Sequence, residues 1–129
     1  VEVKLALDTN AYSAAARGET KESTLVRAAD RLLMPYVVLA ELRAGFAAGT
    51  MGRRNEAALT RFLASPRVEV QYADEQTTHH YATLFAQLRR QGTPMPTNDL
   101  WIAALVLQHD WVLLTRDRHF DSLPQVARA

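Results

Sequence analysis

Val3-Lys4-Leu5-Ala6-Leu7 runs directly into Asp8-Thr9-Asn10. A short, mostly apolar run without clean alternation reads as a strand buried on both faces, which is parallel-sheet material. Trp111-Val112-Leu113-Leu114-Thr115 is a second strand, followed by the polar segment Arg116 to Asp121. Val68-Glu69-Val70-Gln71-Tyr72 alternates with period two and supplies another, and Leu32 to Met34 is a shorter apolar element near Pro35. Between them the spacing predicts helices over Ala11–Arg17, Thr20–Leu33, Val37–Ala48 and Asn55–Ala64. Two more are expected: Asp74–Gln91, capped by Asp74 and ended by Gly92, and Leu100–Gln108, opened by Thr97-Asn98-Asp99. Strands separated by helices imply βαβ units and a mainly parallel α/β sheet covered on both faces.

Composition narrows the classes. The chain has 129 residues, 48% of them hydrophobic and 22% charged, with five glycines, five prolines and no cysteine. That length suits one domain over residues 1–129. The missing thiols exclude a disulfide scaffold, a zinc–thiolate site and a thiol nucleophile. No run approaches the roughly 18 apolar residues of a membrane span, and no basic region precedes an apolar leader. A soluble cytoplasmic protein without membrane contact is therefore expected. The net charge of +1 does not announce a nucleic-acid binder, although 13 of the 15 basic residues are arginine, the better phosphate fork.

The chemistry gathers on acids. In open parallel sheets, ligands bind beyond the carboxyl ends of the strands. Asp8 and Asp117 both follow strands there. A turn or helix cap is the local alternative for each. Asp99 sits among Thr97 and Asn98 at a helix start, where capping and metal binding are compatible. Glu41 lies within Val37-Val38-Leu39-Ala40-Glu41-Leu42, and its helical neighbours Ala44, Gly45 and Ala48 are small. Burial there demands a metal or an arginine partner, with Arg43, Arg53 or Arg54 as the nearest choices. Together the four carboxylates suggest a divalent-metal site for phosphodiester hydrolysis. Mg²⁺ binds through a few carboxylates, water and substrate phosphates. Two such ions about 4 Å apart activate water and stabilise the leaving oxygen.

Asp8-Thr9-Asn10, Ala40-Glu41-Leu42-Arg43-Ala44-Gly45, Asn98-Asp99-Leu100-Trp101-Ile102-Ala103-Ala104 and Leu114-Thr115-Arg116-Asp117-Arg118-His119-Phe120 occur in that order. From about Val3 to Leu123 the chain resembles a PIN-domain ribonuclease, the toxin half of a VapBC-type toxin–antitoxin pair. The resemblance implies a three-layer fold with four to five strands and Mg²⁺- or Mn²⁺-dependent endonucleolytic cleavage of RNA. It implies tRNA or rRNA as substrate, a homodimer and a cognate antitoxin that blocks the acidic cleft. The Gly92–Asp99 stretch looks most like tRNA-cleaving members. Carried over, the catalytic set is Asp8, Glu41, Asp99 and Asp117, with Asp8, Asp99 and Asp117 on the metal. Asn10 and Thr115 match supporting positions. Family members often carry another acid two residues beyond the last motif aspartate, where this chain has His119; Asp121 is the partial substitute.

Arg116 and Arg118 are the candidates for phosphate contacts, and His119 for RNA or metal-bound water. His79 and His80 have no metal-ligand spacing, so one exposed and one half-buried histidine is expected. His109 lies near a helix end, where the dipole favours it. Trp101, Trp111, Phe85 and Phe120 read as core. Two competing functions stay open. A haloacid-dehalogenase-type phosphatase wants a second aspartate where Asn10 stands. A PIN-like module that binds RNA or protein without cutting gains nothing from a negative cleft.

Overall fold

Lys4–Leu7 (β1), Arg31–Pro35 (β2), Val68–Gln71 (β3) and Val112–Leu114 (β4) form a single sheet in the order β3-β2-β1-β4. These strands belong to a computed structural model describing residues 1–129. Every pairing is parallel, with Leu5 opposite Leu32, Leu7 opposite Leu114 and Pro35 opposite Gln71. Six helices flank the sheet: Thr9–Ala16 (α1), Thr20–Ala28 (α2), Tyr36–Ala48 (α3), Gly52–Leu63 (α4), Glu75–Gln91 (α5) and Thr97–His109 (α6). A 3₁₀ turn, Arg118–Ser122, follows β4. No helix is long and apolar enough to cross a membrane.

The sequence explains the layering. Leu5, Ala6 and Leu7 are consecutive and all buried, as are Leu32, Leu33 and Met34. Consecutive burial requires cover on both sheet faces, because neighbouring side chains of a strand point in opposite directions. Helix α6 is buried all round from Ile102 to Val106, and its Ile102, Ala103, Ala104 and Val106 join the same core as Leu113, Leu114 and Phe120. The C-terminal tail adds a rudiment of a fifth strand beside β4: Leu113 donates to the Ala127 carbonyl, and the Ala129 amide donates to Leu113.

The chain passes from β1 outward to β2 and β3, then returns to place β4 on the other side of β1. The seam between β1 and β4 is therefore the topological switch point, where strand order reverses and a crevice opens at the carboxyl ends. Asp8 immediately follows β1 and Asp117 lies three residues beyond β4. Topology alone brings these two acids to one crevice.

Three expectations need correction. The helix from Thr20 ends at Ala28, five residues short of Leu33. Arg67 crosses from the start of β3 and donates to the carbonyls of Val26 and Ala29, at 3.1 and 2.5 Å. Those groups would otherwise lack partners at the helix end, and the freed chain becomes β2. The helix expected from Asn55 begins at Gly52. Phe85 is not core, since it is 51% exposed, whereas Phe120 is wholly buried. Of the paired histidines, His79 is exposed and His80 half-buried.

Candidate active site

Four elements each contribute one carboxylate to a single cleft. Asp8 comes from the end of β1, Glu41 from the middle of α3, Asp99 from the first turn of α6, and Asp117 from the segment after β4. Eleven residues line the cleft; only Ile102 is hydrophobic, and no lysine or arginine is among them. The structure thus brings together all four acids singled out in the sequence, with Asn10 and His119 beside them.

Asp8 is the deepest, with 5% of its surface exposed. Its Oδ1 accepts the Ala11 amide at 2.8 Å, so it also caps α1. Its Oδ2 accepts the Thr115 hydroxyl, a contact that spans the β1–β4 seam. Burial pushes its carboxyl above the usual aspartate range; the Thr115 and Ala11 hydrogen bonds oppose that shift, and the charges of Asp117 and Glu41 add to it. The two oxygens thus have different partners, Oδ1 the helix terminus and Oδ2 the Thr115 hydroxyl across the seam.

Asp99 does not cap its helix. Pro96 occupies the cap position and no side chain bonds there. The Asp99 side chain, 16% exposed, instead places Oδ2 2.9 Å from Nδ1 of His119. Burial raises its pKa and the histidine contact lowers it. Asp117 caps the 3₁₀ turn through the His119 amide at 2.9 Å, and its own amide donates to Thr115 Oγ1 at 2.9 Å. The His119 imidazole is pushed above its ordinary pKa, chiefly by Asp99, with Asp117 adding to the effect.

Glu41 is half-buried, and Oε1 accepts the Thr9 hydroxyl at 2.6 Å. The arginine partners considered for it do not reach it. Arg43 pairs with Glu56 at 3.0 Å instead. Thr9 was not singled out from sequence, although it sits inside the Asp8-Thr9-Asn10 motif, where hydroxyls beside acids are the available signal.

Two further expectations change. Arg116 does not extend a free guanidinium toward RNA. It forks onto Glu22 at 2.8 and 2.9 Å and reaches Glu19 at 2.7 Å. The Glu22 side chain is 2% exposed, so this pair pins the segment after β4 to α2. Asp121 is exposed, pairs with Arg128 and does not line the cleft. The structure therefore does not bring Asp121 together with the four acids. Arg118 is exposed.

The donor set fits a hard divalent ion. Carboxylates crowded without lysine or arginine repel one another, and two of them are partly desolvated; such groups need a cation or a proton. Oxygen donors suit Mg²⁺ and Mn²⁺. Asp99, Asp117 and His119 already offer donor atoms within 4.8 Å of one another.

This is an α/β protein with an acidic site at the switch point of a parallel sheet. The PIN-domain profile matches residues 5–126, and the chain belongs to the PIN-domain family. Ribonuclease VapC1 of Haemophilus influenzae (strain R2866) is 38% identical over 90 residues, covering 68% of this chain and 64% of that protein. The match thus spans less than two thirds of that relative's length. Ribonuclease VapC4 of Mycobacterium tuberculosis is 31% identical over 90 residues, covering 70% and 69%. The structure of VapBC-1 from nontypeable Haemophilus influenzae superposes with a TM-score of 0.85 at 29% identity, over 98% of this chain and 97% of that one.

Proposed function

We propose that this chain is a metal-dependent endoribonuclease, the toxin of a toxin–antitoxin pair. The observation that carries the reading is the convergence of Asp8, Glu41, Asp99 and Asp117 on a cleft with no lysine or arginine. Such a cleft repels a phosphodiester unless a divalent ion lies between them. The names of the relatives, ribonucleases of the VapC type, support the same activity. The VapBC structure that resembles this fold supports an antitoxin partner.

Asp8, Asp99 and Asp117 would hold Mg²⁺ or Mn²⁺. When bound, the ion neutralises charge at the scissile phosphate and acidifies water. Thr115 holds Asp8 in place through its hydroxyl and Asp117 through the acceptor it offers that residue's amide. Thr9 fixes one oxygen of Glu41, leaving the other to accept a proton from water and orient it toward phosphorus. Asn10, at the cleft margin, supports the substrate side. Arg118 is the remaining candidate for a backbone phosphate contact. The substrate is a structured RNA, with tRNA the first choice and rRNA the second, and the active species is a homodimer.

The test is incubation of purified protein, free of antitoxin, with a defined tRNA pool in Mg²⁺, Mn²⁺ or EDTA. Asp99→Asn is prepared identically as a control for contaminating nucleases. Discrete fragments that require metal and vanish in the variant are expected. RNA binding without cleavage under either metal would favour the non-cleaving module instead.

A further inference from the structure

His119 is the one nitrogen donor among the acids of the cleft. Its Nδ1 lies 2.9 Å from Asp99 Oδ2 and 2.9 Å from Asp117 Oδ1. Adjacent ligands of an octahedral ion with bonds of about 2.1 Å are about 3.0 Å apart, the bond length times the square root of two. The two observed separations are hydrogen-bond lengths and are also compatible with two edges of that polyhedron, so an ion could replace the proton without moving the three groups apart. A proton on Nδ1 satisfies both carboxylates in the region where a cation would satisfy all three groups.

The backbone keeps the ring in place. The His119 amide donates to Asp117 Oδ1 at 2.9 Å, which ties the ligand carboxylate and the imidazole to one turn. Phe120, the next residue, is fully buried and anchors that turn in the core. Carboxylate and water suit Mg²⁺ and Mn²⁺ alike, and imidazole nitrogen suits transition metals; of the two ions only Mn²⁺ is a transition metal, so a nitrogen ligand is what separates them.

We propose that His119 Nδ1 is a direct ligand of the ion held by Asp99 and Asp117, and that it turns the cleft's preference from Mg²⁺ toward Mn²⁺. This rests on the nuclease reading only in requiring a divalent ion in the cleft. His119 thereby sets which ion the protein takes up, a role distinct from contact with RNA.

The test reads the ion itself. The full chain is titrated with Mn²⁺ alone, free ion being followed by electron paramagnetic resonance, and again in competition with Mg²⁺. Pulsed measurements then look for the ¹⁴N coupling of a coordinated imidazole. The same is done for His119→Ala and His119→Asp, each checked for folding by circular dichroism. The wild type is expected to show the nitrogen coupling and both variants to lose it. The Mn²⁺-over-Mg²⁺ preference should fall about 10- to 100-fold in His119→Asp, the range that losing even a supporting group costs. Bound Mn²⁺ without nitrogen coupling, or coupling that persists in His119→Ala, overturns the proposal and leaves the nuclease reading standing. Failure of the wild type to bind Mn²⁺ overturns this proposal alone if cleavage still requires Mg²⁺, and overturns both if neither ion binds or supports cleavage.

Discussion

Thr115 Oγ1 donates to Asp8 Oδ2 across 107 residues of sequence, and the same oxygen accepts the Asp117 amide at 2.9 Å. One hydroxyl therefore sets the spacing of two acids from neighbouring strand ends. It donates its only proton to the buried carboxylate, which favours the charged form that a cation needs.

Thr115→Val keeps the shape of the side chain and removes the donor. Asp8 then loses a hydrogen bond it holds while buried, at a cost of about 1–3 kcal/mol. Metal affinity should drop about 10- to 100-fold, as for other supporting groups. Chemical denaturation and Mn²⁺ titration check the two effects, and retention of both values would show that Thr115 does not position Asp8.

Asp8→Asn should raise the melting temperature in EDTA at neutral pH. Burial raises the Asp8 carboxyl above its unfolded value. Between those two values the folded chain keeps a proton that the unfolded chain has lost, so stability falls as pH rises through the window. Above it, the charged carboxylate destabilises the metal-free fold in full. Asparagine removes the charge and still caps α1. The stabilisation should therefore fade as pH falls through the folded value of Asp8, which melting curves across acidic pH will show.

Arg116→Ala should act on stability rather than on RNA affinity. It strands Glu22, whose side chain is 2% exposed, and uncouples the segment after β4 from α2. Arg116→Lys should not rescue it, because a single ammonium does not reproduce the fork onto Glu22. The hydrogen bonds from Arg116 hold Glu22 below its usual range. The stability it confers is present at neutral pH and is lost as pH falls through that lowered value. Melting temperature should drop in both variants, while RNA affinity corrected for folded fraction stays unchanged.

Arg118→Ala should do the converse. It is exposed, so stability should change by less than about 0.5 kcal/mol. RNA affinity should fall, and the salt dependence of binding should become shallower by about one ion. Filter binding at several salt concentrations measures both.

The parallel sheet and the acidic set were legible in the sequence because each rests on local signals. Leu5-Ala6-Leu7 is apolar without alternation, and Asp8 and Asp117 sit just past strands. What was not legible depends on partners far along the chain. Nothing near Ala28 reveals that Arg67 will cap that helix and release Arg31–Pro35 as a strand. Arg116 reads as a surface cation until Glu22, 94 residues earlier, is placed against it. Asp99 looks like a helix cap from its neighbours alone. Pro96 takes the cap position, and His119, 20 residues later, takes the carboxylate. Asp121 lies outside the cleft lining and pairs with Arg128 on the surface.

The most direct measurement is cleavage of one purified tRNA by the wild type and by Asp8→Asn in Mg²⁺, with melting temperatures taken on the same samples. The variant is expected to melt no lower than the wild type in EDTA, to gain less stability from metal, and to cleave about 100-fold more slowly. Cleavage by Asp8→Asn at the wild-type rate would contradict this, because the buried carboxylate would then have no part in the chemistry.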